Sequence, residues 1–394
     1  MKSNWETIKA EDFCFTVTDG THDSPKAKED GHYLITSKHL APYNIDFSSA
    51  KRISDKDYQQ VIKRSPVEQW DILFSMIGTI GITYLEKNTD IDYACKNMGI
   101  FKFNGDKDKA YWLYYYLQTP QAKEYILGHL RGTTQQYLPL GSLRDFPIQV
   151  PPTKIRNNIT SILRSLDDRI AVNIAINENL EQQAQAIFKS WFVDFEPFGG
   201  VMPEDWRTGS LSEICGYSKD KVNIEALTLD TYYSTENMQP NRQGAVQATT
   251  LPTIKQTTAC KKGNVLISNI RPYFKKIIYC FADCGCSTDV LCFVPNKSEY
   301  SAFLYCALYS DKFFDYMVAG SKGTKMPRGD KQQIMMYPIC IPSTEYVEQF
   351  SKIVAPMFET VYTNRLEAND LAILRDTLLP KLMNGEIDVS KVKI

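Results

Sequence analysis

GTTQQYLPLGSLRDFPIQVPP at 132–152 runs into a long helical pattern ending at QAIFKSWF (185–192). GSKGTKMPRGDKQQIMMYPICIPS at 320–343 runs into a second such pattern, ending at LLPKLMNGEIDV (378–389). From the proline at 151 or 342 onward, the second copy trails the first by 191 positions. Self-similarity at half the chain length predicts two equivalent modules, each a globular part followed by a long helix. Upstream of the glycine loops, HYLIT (32–36), WDILFSMI (70–77), MGIFKF (98–103) and FPIQV (146–150) are strand-like. NVLISNI (264–270), VLCFV (290–294) and YPICI (337–341) answer them in the same order. One helical stretch, AYWLYYYLQTPQAKEYILGHL (110–130), precedes the first loop, and SAFLYCALYSDKFFDYMV (301–318) precedes the second. A weaker echo joins NWETIKAEDFC (4–14) to DWRTGSLSEIC (205–215). Each globular half therefore reads as α+β. The expected boundaries are 1–150 and 198–342 for the globular modules, with helices in 151–197 and 343–394.

The helices carry the clearest physics. Steps of four and three from Ile159 meet Leu163, Leu166, Ile170, Asn173, Asn177, Leu180, Ala184, Ile187 and Trp191. The corresponding positions of the second copy are Phe350, Val354, Met357, Val361, Asn364, Ala368, Leu371, Arg375, Leu378 and Leu382. A narrow apolar seam with a seven-residue repeat predicts helix-on-helix pairing in a coiled coil. If an approximate two-fold axis relates the modules, the helices run antiparallel and Asn173 faces Asn364. Buried Asn173, Asn177 and Asn364 would fix register, because a slipped pairing strands their amides among apolar groups. Ile159 to Trp191 spans roughly 48 Å of helix. A rod of that length lets two modules address successive turns of B-DNA, which repeats about every 34–36 Å.

At 394 residues, with 43% hydrophobic and 23% charged positions, the chain fits a soluble protein of two domains. No apolar run approaches the ~18 residues of a membrane span. The start, MKSNWETIKA, carries no apolar secretion signal, and the ten cysteines show no disulfide-framework spacing. A cytoplasmic protein with reduced thiols is the expectation. Net charge is −1, but six basic residues and no acidic one lie between Lys255 and Lys276. Such clustering points to an anion-binding face, against the plainer alternative of solvated surface. No GxxxxGK[ST] phosphate loop, [ND]PP[YF] methyltransferase pocket or paired-carboxylate nuclease motif occurs.

These residues resemble a known family. GTTQ (132–135), VPP (150–152), NENLEQQAQAIFKSWF (177–192) and LLPKLMNGEIDV (378–389) resemble the conserved regions of type I restriction-modification specificity subunits. DGTHDSP (19–25) and WDILFSMIGTIG (70–81) resemble segments of their target recognition domains. KIRNNI follows the first prolines, GSKGTKMP replaces GTTQ in the second half, and no second DGTH segment is found. The resemblance implies a non-catalytic subunit of pseudo-two-fold arrangement. Two similar target recognition domains would be separated by two long helices in an antiparallel coiled coil. It further implies double-stranded DNA as ligand, two methyltransferase subunits and restriction/translocase subunits as partners, and no membrane. No cofactor is expected in this chain; S-adenosylmethionine, and ATP with Mg, belong to the partners. A fused methyltransferase or nuclease with diverged motifs, and a coiled-coil scaffold that binds no DNA, are the alternatives.

Candidate DNA contacts follow from residue type. Thr21 and His22 sit in a polar loop that could equally be a capped turn. Lys51-Arg52 and Lys63-Arg64 are small basic clusters. Thr133, Thr134 and Gln135 follow a flexible glycine in a loop that could equally be a purely structural junction between domain and helix, and their counterpart loop carries Lys322, Lys325 and Arg328, suited to phosphates or guanine edges. Lys261, Lys262, Arg271, Tyr273, Lys275 and Lys276 complete the set. No catalytic residue is expected. Cys280, Cys284, Cys286 and Cys292 invite a zinc reading, but their spacing matches no familiar knuckle, so no metal is expected. Tyr111, Trp112, Tyr114, Tyr115 and Tyr116 suit core packing at helical spacing better than base stacking.

Overall fold

Residues 5–41 and 44–392 are described by the computed structural model. The opening Met1–Asn4, part of the segment expected to lack a secretion signal, lies outside them. The chain divides into two units, Met1–Val172 with Glu367–Ile394, and Asn173–Leu366.

The first unit runs β1 (Glu6–Lys9), α1 (Ala10–Phe13), β2 (Thr16–Asp19), β3 (His32–Ile35), β4 (Leu40–Ala41), β5 (Asn44–Ile45) and β6 (Lys51–Ile53). It continues with α2 (Asp55–Arg64), β7 (Ile72–Ser75), β8 (Thr83–Leu85), β9 (Tyr93–Cys95) and β10 (Met98–Lys102). Then come α3 (Lys107–Tyr116), α4 (Pro120–Gly128), α5 (Leu140–Arg144), β11 (Pro147–Val150) and the start of α6 (Thr153–Phe192). The central antiparallel sheet is ordered β2-β10-β7-β8. Every residue of β7 and β10 is buried, which explains their unbroken apolar runs. A second sheet, β6-β3-β9, and a β1-β11 pair complete the frame. The helical stretch 110–130 forms two helices rather than one. Pro120 cannot continue α3 and instead starts α4, where the Thr119 hydroxyl accepts from Ala122 N at 3.2 Å. Tyr111 to Tyr116 are buried throughout, as core packing requires.

The second unit repeats this plan. Its elements are β12 (Arg207–Ser210), β13 (Cys215–Tyr217), β14 (Lys221–Asn223), β15 (Tyr232–Tyr233), β16 (Gln256–Cys260) and β17 (Val265–Ser268). They continue as β18 (Ile277–Tyr279), β19 (Cys284–Cys286), β20 (Val290–Pro295), α7 (Tyr300–Tyr309), α8 (Asp311–Ala319), α9 (Lys331–Met335), β21 (Pro338–Ile341) and α10 (Thr344–Met383). Sheet β13-β20-β17-β18 has the order of β2-β10-β7-β8, and β12-β21 repeats β1-β11. Again the predicted single helix is two, split where Ser310 caps α8 by accepting from Phe313 N at 3.2 Å. The second sheets differ: β14-β16-β19-β15 stands where the first unit has β6-β3-β9, and no helix lies between β15 and β17. Cys260, Cys280, Cys284, Cys286 and Cys292 share one buried apolar cluster with Leu266 and Ile278. Among the described residues, no group of His, Cys, Asp or Glu is arranged to hold a metal.

From α5 onward the copies keep step, since α9, β21 and α10 each start and end 191 positions after α5, β11 and α6. Within each unit the long helices pair antiparallel. In the first, Asp167 meets Arg375 at 2.9 Å and Arg169 meets Glu367 at 2.9 Å. In the second, Glu181 meets Arg365 at 2.6 Å. A tyrosine closes the buried first pair and the half-buried second: the Tyr115 hydroxyl donates to Asp167 at 2.8 Å, and that of Tyr309 to Glu181 at 3.5 Å. The seam drifts from strict sevens. Phe188, Phe192, Phe358 and Leu379 are buried, while their expected neighbours Ile187, Trp191, Met357 and Leu378 are only half-buried. Sevens hold through Leu163, Ile170, Asn177 and Ala184 and through Val347, Val354 and Val361, while spacings of eleven, such as Asn177 to Phe188 and Val347 to Phe358, move the stripe by one residue. The asparagines meet across the seam. Asn364 Nδ2 donates to Asn177 Oδ1 at 3.0 Å, and Asn177 Nδ2 to the Val361 carbonyl at 3.3 Å. Asn173 reaches the Asn364 carbonyl at 3.5 Å. Asn173 therefore meets Asn364 as expected, and Asn177, one turn on, joins it by accepting from the Asn364 side chain.

Candidate nucleic-acid interface

In the first unit, the ends of β2 and β7 and the start of β10 meet at one end of the central sheet, where Asp19 pairs with Gly99 and Ser75 with Met98. The polar loop leaves β2 there. Gly20 is required, since a Cβ would come 2.3 Å from the Cys95 carbonyl oxygen. Asp19 is buried between Arg64 Nη2 at 2.5 Å and His22 Nε2 at 2.9 Å, and His22 Nδ1 lies 2.9 Å from Asn97 Oδ1. Thr21 is buried, its hydroxyl accepting from Asp23 N at 3.1 Å, so it holds the turn while His22 stays largely exposed.

Beside this end stands the glycine loop. Arg131 and Tyr137 exchange two backbone hydrogen bonds of 2.9 Å, and Tyr137 also bridges to Ile77. Thr133, Thr134 and Gln135 are thereby exposed at a hairpin tip. The second unit builds the same hairpin: Lys322 and Arg328 exchange two bonds of 2.9 Å, and Arg328 bridges to Ile270. Gly132 and Gly323 both take positive φ, 89° and 100°, whereas Gly320 only ends α8. The true counterpart of GTTQ is therefore Gly323-Thr324-Lys325-Met326, again 191 positions on, not the stretch beginning at Gly320. Lys325 and Met326 are exposed at this tip.

The bridge to Ile270 brings a second strained element to the tip. Arg271 and Lys275 flank the turn Pro272–Phe274, and both adopt left-handed backbone at φ 50° and 52°. Such conformations cost a non-glycine residue roughly 1–2 kcal/mol, and the first unit has Gly78 at the corresponding place. Arg271 N donates to Pro327 O at 2.8 Å, and its buried Nε has no partner among the described residues. Tyr273 and Phe274 are exposed alongside. Lys275 and Arg242 share Asp311, at 2.6 and 2.5 Å, and hold that carboxyl down at about 2, with Arg242 the larger influence. Arg328 reaches Asp289 at 3.0 Å, and Lys322 reaches Asp330 at 2.6 Å, which lowers the Asp330 pKa.

Other predicted residues lie away from these tips. Lys261 and Lys262 precede β17 while Arg271 follows it, so the basic stretch 255–276 splits between opposite strand ends. Lys262 pairs with Glu359 at 2.7 Å and Lys261 approaches Asp220 at 3.8 Å. Lys276 donates to Thr235 O at 2.6 Å, and burial lowers its pKa. Lys51 donates to Pro25 O at 2.7 Å and Arg52 to Gly31 O at 2.8 Å, the latter stacked 4.2 Å from the Tyr33 ring. Both clamp the 25–31 loop. Lys63 is exposed at the end of α2 beside Arg64. α2 itself has no counterpart among the expected elements, although Ser54 ahead of Asp55 and Asp57, with Tyr58 and Val61 at helical spacing, marks its start.

Residues 2–182 match the family model described as the type I restriction modification DNA specificity domain. The chain is 26% identical to the MjaIX type I restriction enzyme specificity subunit of Methanocaldococcus jannaschii, over 100% of this chain and 95% of that one. It is 23% identical to the HindI specificity subunit of Haemophilus influenzae, over 82% of this chain and 88% of that one. The crystal structure of a type I restriction-modification S subunit from M. genitalium shares the fold, with a TM-score of 0.59 at 18% identity over 96% of each chain.

Proposed function

We infer that this chain, which belongs to the type I restriction-modification specificity family, is the non-catalytic subunit that reads a bipartite, asymmetric DNA site. One observation carries the reading: two units present the same hairpin beside the same sheet end, yet arm it with different side chains. The first offers Thr133, Thr134 and Gln135; the second offers Lys325 with Arg271 behind it. Neutral donors and an amide suit base edges, and the cations suit phosphates or guanine. Residues 1–150 and 198–342 serve as target recognition domains. The helices of 151–197 and 343–394 dock two methyltransferase subunits, with restriction/translocase subunits joining the assembly. S-adenosylmethionine, and ATP with Mg, bind on those partners, and the assembly works in the cytoplasm.

The test is a footprint of the full chain with its methyltransferase subunits, on a duplex carrying the split motif recovered by sequencing the host methylome. Two protected blocks flanking an unprotected gap are expected. Binding that never rises above non-specific affinity would overturn the reading, as would methyl transfer by the purified chain alone.

A further inference from the structure

The two central sheets match, and the second sheets differ: among the described residues only the first carries an α-helix, the second having a single 3-10 turn at Ile224–Ala226. We propose that α2 is a recognition helix, inserted in the major groove across about three base pairs, reading base edges through Gln59 and Gln60 with Lys56 and Lys63 on the flanking phosphates and Arg64 fixing its C-terminal end. The proposal rests on the DNA-specificity reading above and adds the element that reads one block.

α2 is rigidly mounted. Tyr58 and Val61 pack with Leu34, Ile53 and Ala94 on β3, β6 and β9, and Tyr58 stacks on His32 at 3.8 Å between ring centroids. The Tyr58 hydroxyl donates to Ile91 O at 3.2 Å. Opposite this anchored face, the five polar side chains fall within about 140° of arc at helical spacing, and all five are exposed. Three are cationic and two are amides. The helix's own acids are turned aside: Asp55 lies 3.2 Å from His32 Nε2, and Asp57 accepts from the Ser54 hydroxyl at 2.6 Å. Lys56, Gln59, Gln60 and Lys63 make no side-chain hydrogen bond or ion pair among the described residues.

The occupant follows from this chemistry. An α-helix with its side chains, about 10–12 Å across, fits a major groove about 12 Å wide. Glutamine pairs with adenine through N6 and N7, and lysine suits the flanking phosphates. From Lys56 to Lys63 the helix rises roughly 10 Å, about three base-pair steps. Arg64 is held against Asp19, which ties the C-terminal end of α2 to the polar loop at the sheet end. A cavity of about 320 Å³ opens there, lined by Thr21, Asp23, Asp57, Gln60, Arg64 and Ser65 among others.

The experiment selects from a duplex library of randomised sequence, using the full chain co-expressed with its methyltransferase subunits. The wild type should recover two blocks. Gln59→Ala and Gln60→Ala should each relax preference in one block only, by about ten- to hundred-fold at one base pair. That block should be the one left untouched by Arg271→Ala. Lys63→Ala should weaken all sequences alike and lower the salt slope by about one. If the α2 variants leave both blocks and their affinities unchanged, or alter the block that Arg271→Ala alters, the recognition helix is wrong. A wild type that selects no sequence at all would instead sink the specificity reading.

Discussion

Replacing Asn177 and Asn364 by leucine, singly and together, tests whether the second unit's helix seam is set by a paired amide. Asn177 is buried, Asn364 is half-buried, and the bond between them is 3.0 Å. Asn177→Leu leaves Asn364 Nδ2 without its acceptor. The Val361 carbonyl loses the 3.3 Å bond but keeps its partner within α10. A stranded, partly buried amide costs about 1–3 kcal/mol. A loss near 2 kcal/mol is expected, equivalent to about thirty-fold faster opening. Asn364→Leu should cost about 1–2 kcal/mol, because water reaches that site more easily. The double variant removes both amides and packs leucine on leucine, so it should return close to wild type. The coupling would then be at least about 2 kcal/mol in favour of the double variant. Amide hydrogen exchange over 173–181 and 357–366 measures this in the full chain, because it reports local opening without requiring a single unfolding transition. If the double variant loses the sum of the singles within about 0.5 kcal/mol, the amides act independently and the register argument fails.

Three further outcomes follow from the hairpins and the strained turn. Gly132→Ala and Gly323→Ala should each cost about 1 kcal/mol in left-handed backbone. Only at Gly132 does the new Cβ also collide, 2.4 Å from the Gln135 carbonyl oxygen against 3.4 Å to Met326 at Gly323. Amide exchange should therefore rise more at Tyr137 than at Arg328. Arg271→Gly should be more stable than Arg271→Ala by roughly 0.5–1 kcal/mol. Relief of the left-handed conformation outweighs the entropy glycine adds to the unfolded chain. Both should lose affinity for one block in footprints, and a glycine variant that melts below the alanine variant would mean the turn is unstrained. The Asp311 carboxyl is depressed to about 2, so its contribution is full above its ordinary value of 3.8 and is lost as pH falls from there toward 2. Because Asp311 is mostly exposed, the effect should stay below about 1 kcal/mol. Melting curves of wild type and Asp311→Asn should converge as pH falls to 2, and a gap that persists there would place the effect elsewhere.

The frame was legible in the sequence because periodicity reports burial. β7 and β10 read as strands through unbroken apolar runs, and the long helices read through their seams. The register was harder. A strict seven-residue count strays from the true interface where spacings of eleven carry burial from Ile187 to Phe188 and from Met357 to Phe358. The hairpin pairing was hidden by Gly320, which resembles Gly132 in sequence but lacks its positive φ. Lysine and arginine identity could not separate clamp from reader. Lys51 and Lys276 spend their ammonium groups on backbone carbonyls, Pro25 O and Thr235 O, whose positions only folding reveals. The exposed amides of α2 carried a signal in Ser54 and the Tyr58–Val61 spacing, but a ten-residue helix among strands is easily passed over.

Why the copies agree in one stretch and part in another follows from how each segment is held. From Arg131 to Phe192, and from Lys322 to Met383, the offset stays at 191 through hairpin, α5 or α9, edge strand and long helix. One inserted residue there would turn the helix seam by about 100° and move the side chains of β11 or β21 to the opposite face of their pair. Upstream the offset drifts, to 193 between Ile77 and Ile270 and to 201 between Trp5 and Trp206, because the segments between strands are loops whose length costs little. Such loops can hold α2 in one unit and the β14–β16 region in the other while the central sheet stays the same. The same freedom lets a strained arginine stand at 271 where the other copy has Gly78, since the bridge from Ile270 to Arg328 holds that turn in place. A variant set confined to residues 54–65 or 271–275 should therefore change which bases are read and leave the long-helix amide protection of both units unaltered. A seam that loosens in response would show that reader and frame are not separable.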